Sequence, residues 1–445
     1  MTHTAPSTAL LTDRYELTML DAALRDGRGE HPSVFEVFAR RLPAGRRYGV
    51  VAGTGRLLDA LVDFRFDDDV LGWLDDAGVV SEPTLAWLAG YRFGGSISGY
   101  GEGEVYLPGS PVLTVHGTFA EAVVVETLVL SVLNHDSAVA SAAARMVTAA
   151  GGRTLFEFGG RRAHEQAAVA AARAAYLAGF TGTSNLEAGR RHGLPTLGTS
   201  AHAFTLLHDD EAAAFAAQVA ALGPGTTLLV DTYDTEQGLR TALRVAGTDL
   251  GAVRIDSGDL AAEARRARAL LDEAGATRTR IVLSGDLDEH SLAALADAPA
   301  DAYGVGTSVV TGSGAPTAGL VYKLVARAER PGGICRPVAK AGGDKATRGG
   351  RKAAWRRRRD GRAVAEVIRP FTAPPPSGDV RPLQRPLVVD GERVEPDDLG
   401  AAQERLRAAL AELGSDATAL PDGPVAIPTE FDDDPEARLD PKACS

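Results

Sequence analysis

Short apolar runs that end in small polar and acidic residues recur through the middle of this chain. Residues 195–204 read Pro-Thr-Leu-Gly-Thr-Ser-Ala-His-Ala-Phe, which puts His202 just past an apolar run and a Gly-Thr turn. Further runs end in Asp-Thr-Tyr-Asp at 231–234, Asp-Ser-Gly-Asp at 256–259, Ser-Gly-Asp at 284–286 and Gly-Val-Gly-Thr-Ser at 304–308. Phe156-Glu157-Phe158-Gly159 reads as another short strand, and an alanine-rich helix is predicted over 163–178. Amphipathic stretches at 259–274 and 288–296 separate the later runs, after long apolar helices at 121–133 and 137–150. Such alternation predicts parallel strands joined by crossover helices. About seven or eight units of this kind fit an irregular (β/α) barrel, with functional side chains at the C-terminal ends of the strands. A doubly wound sheet is the alternative, but no Gly-x-Gly-x-x-Gly opening supports it.

Either side of this region the pattern changes. Thr12 or Asp13 caps a predicted helix carrying Tyr15, Leu17, Met19, Leu20, Ala23 and Leu24, and residues 33–40 form a strand. The glycine-rich stretch 94–111 suits a twisted antiparallel sheet. The expected organisation is an N-terminal α/β domain over 1–115, a barrel over 116–325, and a C-terminal extension over 326–400 that packs on the N-terminal domain. A helix and an acidic, partly disordered tail follow over 401–445. The basic run at 351–362 is expected to be a solvated loop or edge strand, and the proline-rich stretch 371–386 an extended connector.

With 445 residues the chain has room for two domains, and 44% hydrophobic with 24% charged residues is ordinary for a globular protein. A net charge of -12 argues against a nucleic-acid binder, which needs clustered cations. Two cysteines, Cys335 and Cys444, supply neither a disulfide framework nor a cysteine-rich zinc site. No secretory pattern opens the sequence, and no 18-residue apolar run lacks charges. The expectation is a soluble cytoplasmic protein without membrane contact.

The strand ends carry the candidate chemistry. Glycines in Ser284-Gly285-Asp286 and in 304–307 let backbone N–H groups approach an anion, though tight βα turns alone would use them too. Asp231, Asp234, Asp256 and Asp259 can hold ribose hydroxyls or a hydrated cation; Asp234 and Asp259 can equally be helix caps. Arg254 and Asp256 are two apart on one strand, so both side chains leave the same side, and the planar Arg254 fork matches a small carboxylate. Of nine histidines only His202 has a functional setting. Phe158, followed by Arg161 and Arg162, suits a flat ring held near phosphate.

Together these segments resemble nicotinate phosphoribosyltransferases, of the type II phosphoribosyltransferases. The resemblance rests on residues 11–19 (Leu-Thr-Asp-Arg-Tyr-Glu-Leu-Thr-Met), Phe158-Gly159-Gly160-Arg161-Arg162, Gly198-Thr199-Ser200-Ala201-His202, Asp231-Thr232-Tyr233-Asp234 and 254–259. Residues 304–311 and Tyr322-Lys323-Leu324 continue it. It implies that nicotinate and 5-phosphoribosyl 1-pyrophosphate give nicotinate mononucleotide and pyrophosphate, with coupled ATP hydrolysis, in NAD salvage. It also implies an N-terminal α/β sandwich domain completed by C-terminal segments, an irregular barrel, and a homodimer with interface active sites. In that scheme Tyr15 from the partner copy and Phe158 sandwich the pyridine ring, while Arg254 and Thr199 anchor its carboxylate. Arg161 faces the phosphoribosyl group and Asp256 the ribose hydroxyls. Asp231, Ser257, Ser284, Gly285, Asp286, Gly304, Gly306 and Thr307 handle phosphate, and His202 becomes a phosphohistidine. Mg²⁺ is implied as the counter-ion of the substrate phosphates, with no protein ligands assigned. Ser184 stands where nicotinamide-using relatives carry an aspartate, which favours an acid substrate. A nicotinamide or quinolinate phosphoribosyltransferase, or an inactive ligand-binding relative, remains the alternative.

Overall fold

The computed structural model describes residues 6–342, 346–394 and 398–432. The acidic stretch from 433 onward, expected to be poorly ordered, lies outside the described residues. The chain forms two compact units, residues 139–316 and residues 1–138 with 317–445.

The 139–316 unit is built on six parallel strands rather than seven or eight. Their order is Gly182–Thr183, Thr154–Glu157, Ala302–Val305, Arg280–Ser284, Ala252–Ile255 and Thr227–Leu229, in a curled, open half-barrel. Ala302–Val305 is buried throughout, and Arg280–Ser284 everywhere except its first residue. Strands covered on both faces need continuous apolar runs, and these sequences supply them. The acids that follow the strands start the crossover helices. Asp234 accepts the Gln237 N–H at 2.8 Å ahead of the helix Thr235–Ala246. Asp259 accepts the Ala262 N–H at 3.1 Å ahead of Leu260–Glu273, and Asp288 caps Glu289–Ala294 in a capping box. Each cap contributes about 0.5–2 kcal/mol. For Asp234 and Asp259 the structural reading therefore holds. The same capping turns helix N-termini, with their partial positive charge, toward the C-terminal ends of the strands.

In the other unit, N-terminal strands are completed by C-terminal ones. Its seven-stranded sheet runs Arg336–Pro337, Leu320–Arg327, Pro32–Ala39, Leu113–Thr118, Ser96–Tyr100, Gln384–Val389 and Glu392–Arg393. Neighbours are antiparallel, and the Phe35 ring on one central strand stacks on Tyr322 of the next at 4.8 Å.

A second sheet of four strands corrects the reading of the basic run. Lys352–Arg359 is an interior strand, hydrogen-bonded between Val380–Pro382 and Arg362–Pro370. Four of the strand's five cations, Lys352, Arg356, Arg357 and Arg358, face an acid. Arg358 pairs with Asp379 and Glu412, Arg357 with Glu430, and Lys352 with Glu36 at 2.7 Å. Arg356 is wholly buried: its Nη2 donates to Glu366 at 3.1 Å and to the Val105 carbonyl at 2.9 Å. Glu366, equally buried, also accepts from the Tyr100 hydroxyl at 2.8 Å and from Ser110. Burial nonetheless holds the Glu366 carboxyl above its usual range, with Arg356 opposing the shift.

Among the described residues one helical stretch, Phe119–Ala150, is long and apolar enough to cross a membrane. Its most apolar window is 72% buried inside the protein, as suits a core helix.

Removing one partner from a buried pair strands the other charge, at a cost of about 3–5 kcal/mol. Arg356→Met is therefore expected to lower the thermal midpoint clearly. The double variant Arg356→Met/Glu366→Leu should recover much of that loss in the same melting measurement.

Candidate active site

At the C-terminal ends of the parallel strands lies a cavity of about 670 Å³, and every lining residue belongs to the 139–316 unit. Its walls carry Phe158, Arg161, Ser184, Thr199, His202, Arg254 and Asp256, all singled out from the sequence, together with Asn185, Leu186 and Ser200.

Arg254 organises the floor. Its Nε donates to the Ser284 hydroxyl at 2.8 Å, Nη2 to Asp256 Oδ1 at 2.8 Å, and Nη1 to the Thr199 hydroxyl at a long 3.4 Å. Guanidinium has five N–H donors, so about two remain for a ligand. Burial works against ionised Asp256, but hydrogen bonds from Ser284 and Arg254 outweigh it and hold the carboxyl below the usual range. The Arg254 guanidinium also stands over the Phe158 ring, 5.5 Å from its centroid. A cation beside an aromatic face is a receptor for a flat ring bearing a carboxylate.

His202 opens the short helix His202–Leu206. Nδ1 lies 3.1 Å from the Thr232 hydroxyl, and Nε2 lies 4.0 Å from Asp231 Oδ1. The Asp231 side chain is 1% exposed, and its other oxygen accepts the Asp256 N–H at 2.9 Å and the Ser257 hydroxyl at 2.7 Å. Ser257 is thus spent on Asp231 Oδ2 within the protein, and neither residue lines the cavity.

The glycine turns also border the cavity without lining it. A Cβ at Gly304 would come within 2.4 Å of the Phe158 ring, so glycine here makes room for that ring. Gly285 has φ +113°, and a Cβ there would meet the Asp256 carbonyl at 2.3 Å. Ser284 is buried against Arg254 and Asp256, whereas Asp286, with φ 46°, is exposed beyond it. Gly306 precedes the four-residue helix Thr307–Val310, and Thr307 is exposed.

Tyr15 belongs to the other compact unit, on the helix Arg14–Arg25, and is 47% exposed. Burial and the nearby Glu126 carboxylate keep its hydroxyl protonated well above the ordinary range, and Glu126 pairs with Lys323 at 3.5 Å.

A family model described as the nicotinate phosphoribosyltransferase (NAPRTase) N-terminal domain matches residues 10–134. Over 430 residues the chain is 58% identical to a nicotinate phosphoribosyltransferase of Mycobacterium tuberculosis, covering 94% of each protein. The Bacillus subtilis nicotinate phosphoribosyltransferase is 39% identical over 359 residues, 79% of this chain and 73% of that one. The crystal structure of human nicotinic acid phosphoribosyltransferase superposes with a TM-score of 0.81 at 26% identity, covering 94% of this chain and 97% of the human one. The chain belongs to the nicotinate phosphoribosyltransferase family.

Within this nicotinate phosphoribosyltransferase fold, three supporting residues carried no signal that sequence reasoning weighed. Glu157, fully buried, accepts from the Gly159 N–H and the Thr183 hydroxyl, and so joins the loop carrying Phe158 and Arg161 to the loop carrying Ser184. Burial raises its pKa, opposed by those two hydrogen bonds. Asn185 accepts the Ala188 N–H at 3.0 Å and caps the helix Leu186–His192, a role readable from an Asn placed just before a helical stretch. Thr232 meets the His202 ring, but only the fold brings these positions, 30 apart, together.

Gly304→Ala is expected to push the Phe158 ring out of place, destabilising the fold by about 1–3 kcal/mol through overpacking. A melting curve with a nicotinate-binding titration checks this; unchanged affinity would show that Phe158 does not face the ligand.

Proposed function

We propose that the chain joins nicotinate to the ribose of 5-phosphoribosyl 1-pyrophosphate, releasing pyrophosphate and forming nicotinate mononucleotide, with ATP hydrolysis coupled to turnover. This is the entry of nicotinate into NAD salvage. The observation that carries the reading is the Arg254 guanidinium, with N–H groups to spare, standing over the face of Phe158 at the cavity wall. Ser184 on the same wall supports the acid over the amide, since it brings no negative charge against a carboxylate.

In this reading the nicotinate ring lies on Phe158 with its carboxylate on Arg254 and Thr199. Its nitrogen attacks C1 of the ribose as the bond from C1 to pyrophosphate breaks, through an oxocarbenium-like state. Asp256, kept ionised by Arg254 and Ser284, sits where it can hold the ribose hydroxyls and offset the growing positive charge. Arg161 is exposed at the mouth of the cavity, suited to the phosphoribosyl phosphate. The glycine turns at 285 and 304–306 lie beside this site and are the proposed backbone cradle for phosphate. Mg²⁺ would neutralise the departing pyrophosphate. Among the described residues no group of three or more His, Cys, Asp or Glu side chains is arranged to hold a metal.

His202 is the proposed acceptor of the ATP γ-phosphoryl group: the bond from phosphorus to nitrogen forms as the bond to ADP breaks. The Asp231 carboxylate favours the ring proton on Nε2, which leaves the lone pair on Nδ1 beside Thr232. A homodimer that completes the site with the partner subunit's Tyr15 is part of the proposal. It agrees with exposed Leu186, Leu206, Leu207 and Tyr233 on the 139–316 unit, and with exposed Tyr15 beside Leu11. Kinship with enzymes of nicotinate metabolism supports action in the cytoplasm.

A product assay tests the function: nicotinate, the phosphoribosyl donor and Mg²⁺, with and without ATP, should give the mononucleotide. Turnover of nicotinamide but not nicotinate would overturn the substrate assignment. His202→Ala should abolish ATP-coupled stimulation while slow ATP-independent product formation persists; retained ATP hydrolysis would remove His202 from its role. Arg254→Ala should raise KM for nicotinate more than for the donor, equivalent to about 2–4 kcal/mol of lost charged contact. Equal effects on both substrates would contradict the carboxylate assignment.

A further inference from the structure

One buried ion pair of the 139–316 unit ends on the loop that continues from the glycine turn at 304–306. Arg145, on the helix Glu126–Ala150, and Glu289, the first residue of Glu289–Ala294, are 4% and 2% exposed. Arg145 Nε donates to Glu289 Oε1 at 3.1 Å, and the Ser313 hydroxyl donates to Glu289 Oε2 at 2.5 Å. Burying two charges is costly and is weak evidence of a gain in stability, so what the pair holds in place matters. Here it holds Ser313, whose φ of +50° lies in the left-handed region that residues other than glycine seldom adopt. Backbone held in such a conformation needs surroundings that over-determine it, and it gathers near functional sites.

From Ser313 the contacts lead back to the cavity wall. The Ser313 N–H donates to the Ser308 carbonyl at 2.7 Å, and the Thr311 N–H and hydroxyl both reach the Thr307 carbonyl, at 3.1 and 2.8 Å. At the other end of this run the Phe158 N–H donates to the Val305 carbonyl at 2.8 Å. A Cβ on Gly159 would come within 2.2 Å of Val310 Cγ1 and 2.8 Å of the Gly306 carbonyl, so the two segments touch. Residues 304–313 are therefore anchored at the cavity by Phe158 and Gly159, and at the far end by Glu289. Gly159 itself has a separate hold, through its N–H on Glu157.

We propose that Glu289 is a positioning residue for the turn 304–306, linked to it through Ser313 and held in place by Arg145. The inference rests on the reading of that turn as part of the phosphate cradle. Backbone N–H groups bind an anion well only when they converge on it, and their directions depend on how the following chain is tethered. A carboxylate suits the task because its two oxygens serve two partners at once: Arg145 balances its charge and orients it, and Ser313 takes the other side. Loss of the Ser313 bond frees the far end of the run. The wall carrying Phe158 stays, because Glu157 holds it independently. Glu289 and Arg145 thus set affinity for the phosphoribosyl donor and leave affinity for nicotinate alone.

The test is calorimetric titration of the full chain with 5-phosphoribosyl 1-pyrophosphate and Mg²⁺, and separately with nicotinate. Ser313→Ala should bind the donor about 5- to 10-fold more weakly, with nicotinate affinity within about twofold of the wild type. Unchanged donor affinity, or equal losses for both ligands, overturns the inference. Arg145→Lys should weaken donor binding too, and added to Ser313→Ala it should cost little more, because both act through Glu289. Losses that multiply in the double variant would mean that Arg145 does not act through Ser313, and would overturn it as well. Hydrogen exchange of the wild type keeps the two readings apart: bound donor should slow the 304–307 amides. If it does not, the cradle reading fails and takes the inference with it. Slowing in the wild type beside unchanged affinity in Ser313→Ala overturns the inference alone.

Discussion

The Asp231 carboxylate stands where two strand ends and the His202 ring meet. One oxygen receives the Asp256 N–H and the Ser257 hydroxyl, which fixes the turn following Ala252–Ile255. The other is aimed at the His202 ring from 4.0 Å. Asp256, set by that turn, holds Arg254 with help from Ser284, and Arg254 in turn stands over Phe158. Break the first contact and the later ones lose their reference, because hydrogen bonds to Asp256 and Ser284, and not the strand that carries Arg254, fix the guanidinium plane. Charged side chains in a half-buried site keep their geometry only while each has a partner.

The same economy runs through the rest of the 139–316 unit. An acid after a strand serves first as a helix cap, as Asp234 and Asp259 do, and the capped helix then presents its positive end to the cavity side. Glycine is used where rings and backbones approach too closely for a Cβ, at Gly304 against Phe158 and at Gly285 against Asp256. These devices give a rigid floor to a site whose own charges would otherwise repel or collapse. The other unit meets a related problem by burying Arg356 with Glu366, Tyr100 and Ser110, so that a strand of consecutive arginines can sit inside a sheet.

Much of this was legible in the chain. Parallel strands alternating with helices followed from period and length, and the family followed from ordered segments such as Gly198-Thr199-Ser200-Ala201-His202 and 254–259. The two-residue spacing of Arg254 and Asp256 foretold side chains on one side of a strand, and the structure has them 2.8 Å apart. The basic run 351–362 was misread, because its neutralising partners are remote in sequence: Glu36, Asp379, Glu412 and Glu430. Composition within a window cannot reveal a counter-charge that arrives from another strand.

What the sequence by itself determined is the local chemistry: which runs make strands, which acids are able to cap helices, and which residue types suit a carboxylate or a phosphate. Periodicity and capping act over a few residues, so they are written in the order of the chain. The tertiary structure alone decided which of those groups share a cavity and which are spent on the fold. Ser257 was drawn to Asp231 and Ser284 to Arg254, both by contacts between segments more than ten residues apart. Hydrogen-bond satisfaction and burial are properties of the packed whole, and they set the charge each group carries.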